Sequence, residues 1–130
     1  MEMSCENDLF CGVNNASGKS PDEMTDLEKK HTPVIEAPDK VKAGEYFEVK
    51  VSTGVYMAHP NEYGHYFGWI EIYLDDTPLG RVELQPVMSS PSVTFKVSAT
   101  HSHEGKRRLR ALAFCNLHGV WEGEKEIEVE

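Results

Sequence analysis

The sequence of 130 residues predicts an all-β fold, an immunoglobulin-like β-sandwich of seven strands behind an irregular N-terminal arm. Three observations predict it. Phe47, Val49 and Val51 alternate with Glu48, Lys50 and Ser52, and Val93, Phe95 and Val97 repeat the alternation, so each stretch has one buried and one wet face. Pro, Gly, Asn and Asp break the chain into short runs with strand composition. No long amphipathic helix and no internal repeat competes with that reading, and about seven short strands separated by turns imply a sandwich.

Residues 1–26 are rich in Asn, Ser, Gly, Asp and Glu and read as the arm, with a short helix near Pro21-Asp22-Glu23-Met24. Residues 27–130 form the expected sandwich domain, with β pattern from Pro33 onward. Residues 69–74 are aromatic and β-branched, as strands prefer. Asp75-Asp76-Thr77-Pro78 is a turn, and residues 79–84 return as the hairpin partner. Residues 109–114 and 126–129 supply the remaining strands. The length suits one domain with a real hydrophobic core.

Composition excludes several classes. The formal net charge is −9, which disfavours nucleic acid, because phosphate contacts need a basic face. No run is long and apolar enough to span a bilayer, and no basic segment followed by an apolar run opens the chain. No membrane association and a cytoplasmic location are therefore expected. Three cysteines, two of them in the arm (Cys5 and Cys11), argue against a disulfide framework. Lys29-Lys30 and Lys106-Arg107-Arg108 with Arg110 are local basic clusters in a negative field. Such clusters attract small anions, though a solvated surface is the simpler reading of residues 106–110.

The chemistry concentrates in Cys115-Asn116-Leu117-His118-Gly119-Val120-Trp121, where a thiol and an imidazole stand three residues apart after a mostly apolar run. One short loop can turn both toward a single metal ion, the thiolate as a strong donor and the imidazole as a borderline one. Three more histidines lie in informative places: His31 in Lys29-Lys30-His31-Thr32-Pro33-Val34-Ile35-Glu36, and His59 and His65 in His59-Pro60-Asn61-Glu62-Tyr63-Gly64-His65-Tyr66. Four His and one Cys exceed the needs of a closed tetrahedral zinc site and suit a five-coordinate iron with one open face. In the predicted sandwich these segments can meet at one end, where loops gather.

These motifs resemble those of the superoxide reductases, the neelaredoxin and desulfoferrodoxin family. The resemblance covers residues 27–130 and rests on three motifs in order: Lys30-His31-Thr32-Pro33-Val34-Ile35-Glu36, His59-Pro60 followed by His65 and Trp69-Ile70, and the segment from Cys115 to Trp121. It implies one mononuclear non-haem iron per chain, held by equatorial His31, His59, His65 and His118 and axial Cys115, opposite an open position. The implied reaction is one-electron reduction of superoxide to hydrogen peroxide, with Lys30 attracting the substrate. Rubredoxin is the implied electron donor and a homotetramer the implied assembly. The paired-Cys pattern of the desulforedoxin domain that some members carry is not matched by Cys5 and Cys11, so the one-iron neelaredoxin type is the nearer likeness. One departure stands out. The family usually has Glu-Lys-His, its Glu binding the oxidised iron, but here Lys29 holds that position and Glu28 lies one residue too early. Water, hydroxide or Glu62 remain to fill the sixth position.

Two rival readings come from other classes. A cupredoxin-like electron carrier would also use His and Cys on a β-sandwich, but the residues after His118 offer no axial Met, and His31 and His65 would be surplus. A structural sandwich with zinc would use four of the five donors. Gly18-Lys19-Ser20 is not a phosphate loop, because five residues separate it from Gly12 where that motif has four. Asn15-Ala16-Ser17 is a glycosylation sequon without meaning in the cytosol. His101-Ser102-His103 reads as an exposed turn, and Trp69, Trp121 and Phe114 as core residues beneath the site.

Overall fold

The structure, a computed structural model, describes residues 8–16 and 18–130. Two β-sheets face each other across an apolar core. The larger contains β1 (Val13–Asn15), β9 (Gly119–Val129), β8 (Gly105–Cys115), β5 (Phe67–Leu74) and β6 (Thr77–Glu83) in that order, with β3 (Lys40–Val41) also paired to β9. The smaller is β2 (Val34–Glu36), β4 (Phe47–Ser52) and β7 (Ser92–Val97). The sandwich stands as expected. The described residues divide into nine strand segments rather than seven, because β1, β2 and β3 are only two or three residues long.

Strand periodicity decides what enters the core. In β5, Ile70, Ile72 and Leu74 are at most 1% exposed, and in β8 Leu109, Ala111, Ala113 and Cys115 are fully buried. Successive side chains alternate between faces, so Trp69 and Phe114 point outward. They stack on each other at 5.7 Å, with the Arg81 guanidinium 4.4 Å from the Trp69 ring. The expectation that these two rings pack beneath the site is thereby corrected: one residue of parity puts them on the other face. Trp121, by contrast, is buried. Each large aliphatic side chain buried in the core contributes roughly 2 kcal/mol.

The β8–β9 pair is longer than its apolar pattern suggests. The sequence pattern marks strand only from Glu126, yet β9 runs unbroken from Gly119 to Val129 and takes in Glu122 and Glu124. On the outer face Arg108 pairs with Glu124 at 3.1 Å and Arg110 with Glu122 at 2.5 Å. Arg107 reaches Asp75 at 3.1 Å, and Lys106 lies 4.0 Å from Glu126. Cross-strand charge pairing of this kind supports a ladder and neutralises the basic cluster at residues 106–110.

Within the arm, β1 adds a parallel strand to β9, and one 3₁₀ turn spans Pro21–Glu23, where a short helix is expected. A further helix, α1 (Asp26–His31), follows. Thr25 caps it: its hydroxyl accepts from the Glu28 N–H, and the Glu28 carboxylate accepts from the Thr25 N–H. Cys11 is disulfide-bonded, which the sparse cysteine count did not suggest; Cys5 lies outside the described residues. No helix among the described residues is long and apolar enough to cross a membrane.

Candidate metal centre

Four chain segments converge at one end of the sandwich. His31 is the last residue of α1, His59 and His65 lie in the loop between β4 and β5, Cys115 ends β8, and His118 lies in the three-residue loop before β9. That loop is tight. The His118 N–H donates to the Cys115 carbonyl at 3.3 Å, and Gly119 takes a φ of +82°, a conformation suited to glycine. The Trp121 indole N–H holds the His118 carbonyl at 3.0 Å, while its ring stacks on His31 at 5.1 Å between centroids.

One donor atom from each of His31, His65, Cys115 and His118 lies within 4.8 Å of every other. His59 is adjacent to this group of four, with its Nε2 3.4 Å from Cys115 Sγ and its ring 4.7 Å and 4.6 Å from those of His31 and His65. The structure thus brings all five expected residues into one cluster.

Buried polar atoms are ordinarily paired, yet among the described residues His31 Nε2 and His65 Nε2 are buried without a partner. Backbone carbonyls meanwhile occupy the other nitrogens of two rings. His31 Nδ1 lies 2.7 Å from the Leu27 carbonyl and His59 Nδ1 2.6 Å from that of Pro60. A protonated Nδ1 leaves Nε2 as the donor pointing inward, the arrangement by which a carbonyl orients a metal-binding histidine. The residues therefore fit a metal ion.

Electrostatics agrees. Burial pushes His31 and His59 down to about 4, helped by repulsion from neighbouring rings and, for His31, from Lys30, and opposed by the carbonyls of Leu27 and Pro60. His118 is lowered by burial, then by His65 and Lys30. These imidazoles are neutral at pH 7 and ready to donate. Burial raises the Cys115 thiol above its ordinary value, against the N–H groups of Leu117 and His118. The thiol keeps its proton until a cation displaces it, so metal binding releases a proton here.

A stability prediction follows for the metal-free protein. His31 and His59 titrate near 4 when folded and near 6.5 when unfolded, so below pH 6.5 the unfolded chain binds more protons. Their contribution is present above pH 6.5 and lost as pH falls toward 4. The thermal midpoint of the metal-free protein should drop by at least about 5 °C between pH 7 and pH 5; calorimetry in matched ionic strength checks it, and a flat profile contradicts it.

The two acidic residues near the cluster are differently placed. Glu28 is held away from it: beyond its capping bond it accepts from Lys19 Nζ at 2.9 Å and 3.1 Å. Glu62 is exposed and bridges His65 through backbone only. Lys30 is half-buried beside His31, close enough that its charge acts on both His31 and His118. What sequence reasoning missed is the support beneath these residues, although Thr25-Asp26-Leu27-Glu28 carries the Thr-x-x-Glu pattern of a capped helix and signals α1.

The desulfoferrodoxin family model matches residues 23–124, which include all five clustered residues. The chain belongs to the desulfoferrodoxin family. Among its relatives, a protein of Methanocaldococcus jannaschii, provisionally named a superoxide reductase, is 50% identical over 121 residues, covering 93% of this chain and 97% of that one. The neelaredoxin of Megalodesulfovibrio gigas is 32% identical over 78% of this chain and 89% of its own. The solved structure of the superoxide reductase (neelaredoxin) from Ignicoccus hospitalis superposes with a TM-score of 0.72 at 39% identity, covering 91% of this chain and 95% of that one. Desulfoferrodoxin-family proteins bind iron, and the cluster of imidazoles and one thiolate is a donor set suited to it. Membership also disfavours the cupredoxin-like reading.

Proposed function

We propose that this protein is a superoxide reductase, with His31, His59, His65, His118 and Cys115 as ligands to one iron. The observation that carries the reading is the convergence of buried, unpartnered imidazole nitrogens on a buried thiol, in a chain whose relatives carry that activity in their names. Bound iron would supply one electron to superoxide, which with two protons gives hydrogen peroxide. The surrounding residues do the rest. The carbonyls of Leu27 and Pro60 orient His31 and His59. Trp121 packs the His31 ring and fixes the loop that carries His118. Lys30 attracts the anion and can order a water that donates a proton.

The test is iron content and visible spectrum, as isolated and after ferricyanide oxidation, together with pulse radiolysis. About one iron per chain and a thiolate-to-iron band that bleaches on reduction support the reading. Stoichiometric zinc that persists after iron reconstitution overturns it. Lys30→Ala should slow the second-order reaction with superoxide about tenfold and weaken its dependence on ionic strength; an unchanged rate removes Lys30 from the mechanism. Rubredoxin as donor, a homotetramer and a cytoplasmic location complete the proposal, on the strength of the resemblance to one-iron members.

A further inference from the structure

Four of the five proposed ligands are placed by something firm. His31 closes α1, Cys115 ends β8, and His118 rides the tight loop before β9. His65 is pinned to Glu62 by two backbone hydrogen bonds of 2.9 Å and 3.1 Å. His59 has no such element. It lies midway along the loop between β4 and β5, and outside the group of four whose donor atoms lie within 4.8 Å of one another. What steadies its ring is the peptide that follows, through the Pro60 carbonyl 2.6 Å from Nδ1. The next residue is Asn61, which the proposed reaction does not use.

Asn61 is half-buried, and both ends of its amide are engaged. Its Oδ1 accepts from the Val87 N–H at 2.9 Å, and its Nδ2 donates to the Ser89 carbonyl at 3.1 Å. Those two backbone groups require an acceptor and a donor on one carbon, which an amide side chain supplies and a carboxylate does not. The turn that Asn61 grips, between β6 and β7, is closed on itself. The Ser89 N–H donates to the Gln85 carbonyl at 3.1 Å, and Ser89 Oγ accepts from the Gln85 N–H at 3.0 Å. Thr53, at the start of the His59 loop, donates its N–H to the Pro91 carbonyl of the same connection at 3.1 Å, so loop and turn are braced twice. Val87 takes a φ of +70°, in the left-handed region that a β-branched residue rarely enters. Its side chain is exposed, so the conformation is imposed through the backbone, where Asn61 bonds its N–H. Strained residues of this kind persist where their surroundings over-determine them, and they cluster at functional sites.

Leaving His59 out of the count shows what this brace decides. The four tightly grouped donors are three imidazoles and one thiolate, a complement that suits a closed tetrahedral zinc site. Thiolate and imidazole together attract zinc at least as readily as ferrous iron, so a preference for iron has to come from geometry and donor number. A fifth donor that cannot swing away supplies both. We propose that Asn61, seated on the turn at Val87, is a metal-selectivity residue: by fixing the Pro60–Asn61 segment it keeps His59 among the ligands and so favours iron over zinc. The proposal rests on the five-ligand iron centre proposed above and extends it to a residue that is not itself a ligand. Asn61 is a positioning residue, acting through the Pro60 peptide and the His59 ring.

The test loads the metal-free protein, without oxygen, with ferrous iron and zinc in equal amounts and reads the bound ratio by elemental analysis. Asn61→Ala should lower the iron-to-zinc ratio at least about tenfold relative to the natural protein, the usual cost of losing a residue that orients a metal ligand. Asn61→Asp keeps an acceptor for the Val87 N–H but loses the donor to Ser89, so its ratio should fall between the two. Val87→Gly suits the positive φ and keeps the N–H, so it should load like the natural protein. Cobalt(II) in place of iron separates positioning from stability. Its visible d–d bands are weak with five donors and intense with four, so they should strengthen in Asn61→Ala while the far-UV circular dichroism is unchanged. A natural ratio together with a natural cobalt spectrum in Asn61→Ala overturns the proposal. If Asn61→Ala does not fold, the same two readouts on Asn61→Asp decide in the same way. A natural protein whose cobalt bands are already those of four donors overturns the five-ligand reading and this proposal with it, a result seen before any variant is made.

Discussion

Replacing Cys115 by serine should abolish the thiolate-to-iron band and slow the reaction with superoxide by at least about a hundredfold, since loss of even an outer-shell partner of a metal ligand costs ten- to a hundredfold. The thiol is fully buried, 3.4 Å from His59 Nε2 and 3.7 Å from His118 Nδ1. A serine hydroxyl in the same place can still hydrogen-bond to either ring, so the fold should survive and the far-UV circular dichroism should match. What is lost is the one soft anionic donor among neutral imidazoles, and with it the electron density that a thiolate pushes onto a bound metal. Retention of the band in Cys115→Ser would assign it to some other group and break the proposed ligand set.

Gly123→Ala should be the most damaging change that touches no donor atom. A Cβ built at Gly123 would lie 1.9 Å from the Pro33 carbonyl oxygen, a backbone atom that cannot step aside. Pro33 follows His31 by two residues, and β2 starts at Val34. The methyl group must therefore push the start of the smaller sheet, and the histidine before it, away from β9. Overpacking against backbone costs about 3 kcal/mol or more, which corresponds to a fall in thermal midpoint of about 10 °C for a domain of this size. Iron content should fall in parallel, because the displaced segment carries a donor. Unfolding followed by circular dichroism, with metal analysis of the folded fraction, checks both; an unaltered midpoint would mean that the close approach is relieved at little cost.

Much of this was legible beforehand, and the residues show why. The two-residue alternation of Phe47, Val49 and Val51 survives into a strand whose inward side chains are 9%, 0% and 0% exposed. Periodicity reports burial directly where one face is wet. It fails where both faces carry large apolar groups: Trp69, Ile70, Ile72 and Leu74 give no sign of which ring turns outward, and the outward ring is covered by Arg81, a residue far along the chain. It fails again at residues 122–125, where Glu122 and Glu124 pair with arginines of the neighbouring strand. The candidate site was legible because its donors sit in short motifs of distinctive residue types. Its supports are peptide groups, the carbonyls of Leu27 and Pro60, which no side-chain pattern announces. The cystine at Cys11 was missed because spacing says nothing about what a folded arm brings within reach.

The position of β9 bears on when the site can exist at all. All five clustered residues precede this strand in the chain, yet β9 pairs with β1, β3 and β8 and carries both the glycine that admits Pro33 and the tryptophan that packs His31. During translation the donors emerge from the ribosome before the element that sets their spacing. Until residues 119–129 follow, a nascent chain holds a thiol and four imidazoles whose mutual spacing β9 has not yet set, a group that favours whichever divalent ion is most avid rather than iron. Loading with the intended metal is thus a task for the finished chain, after long-range pairing, which is the slow part of building a sandwich.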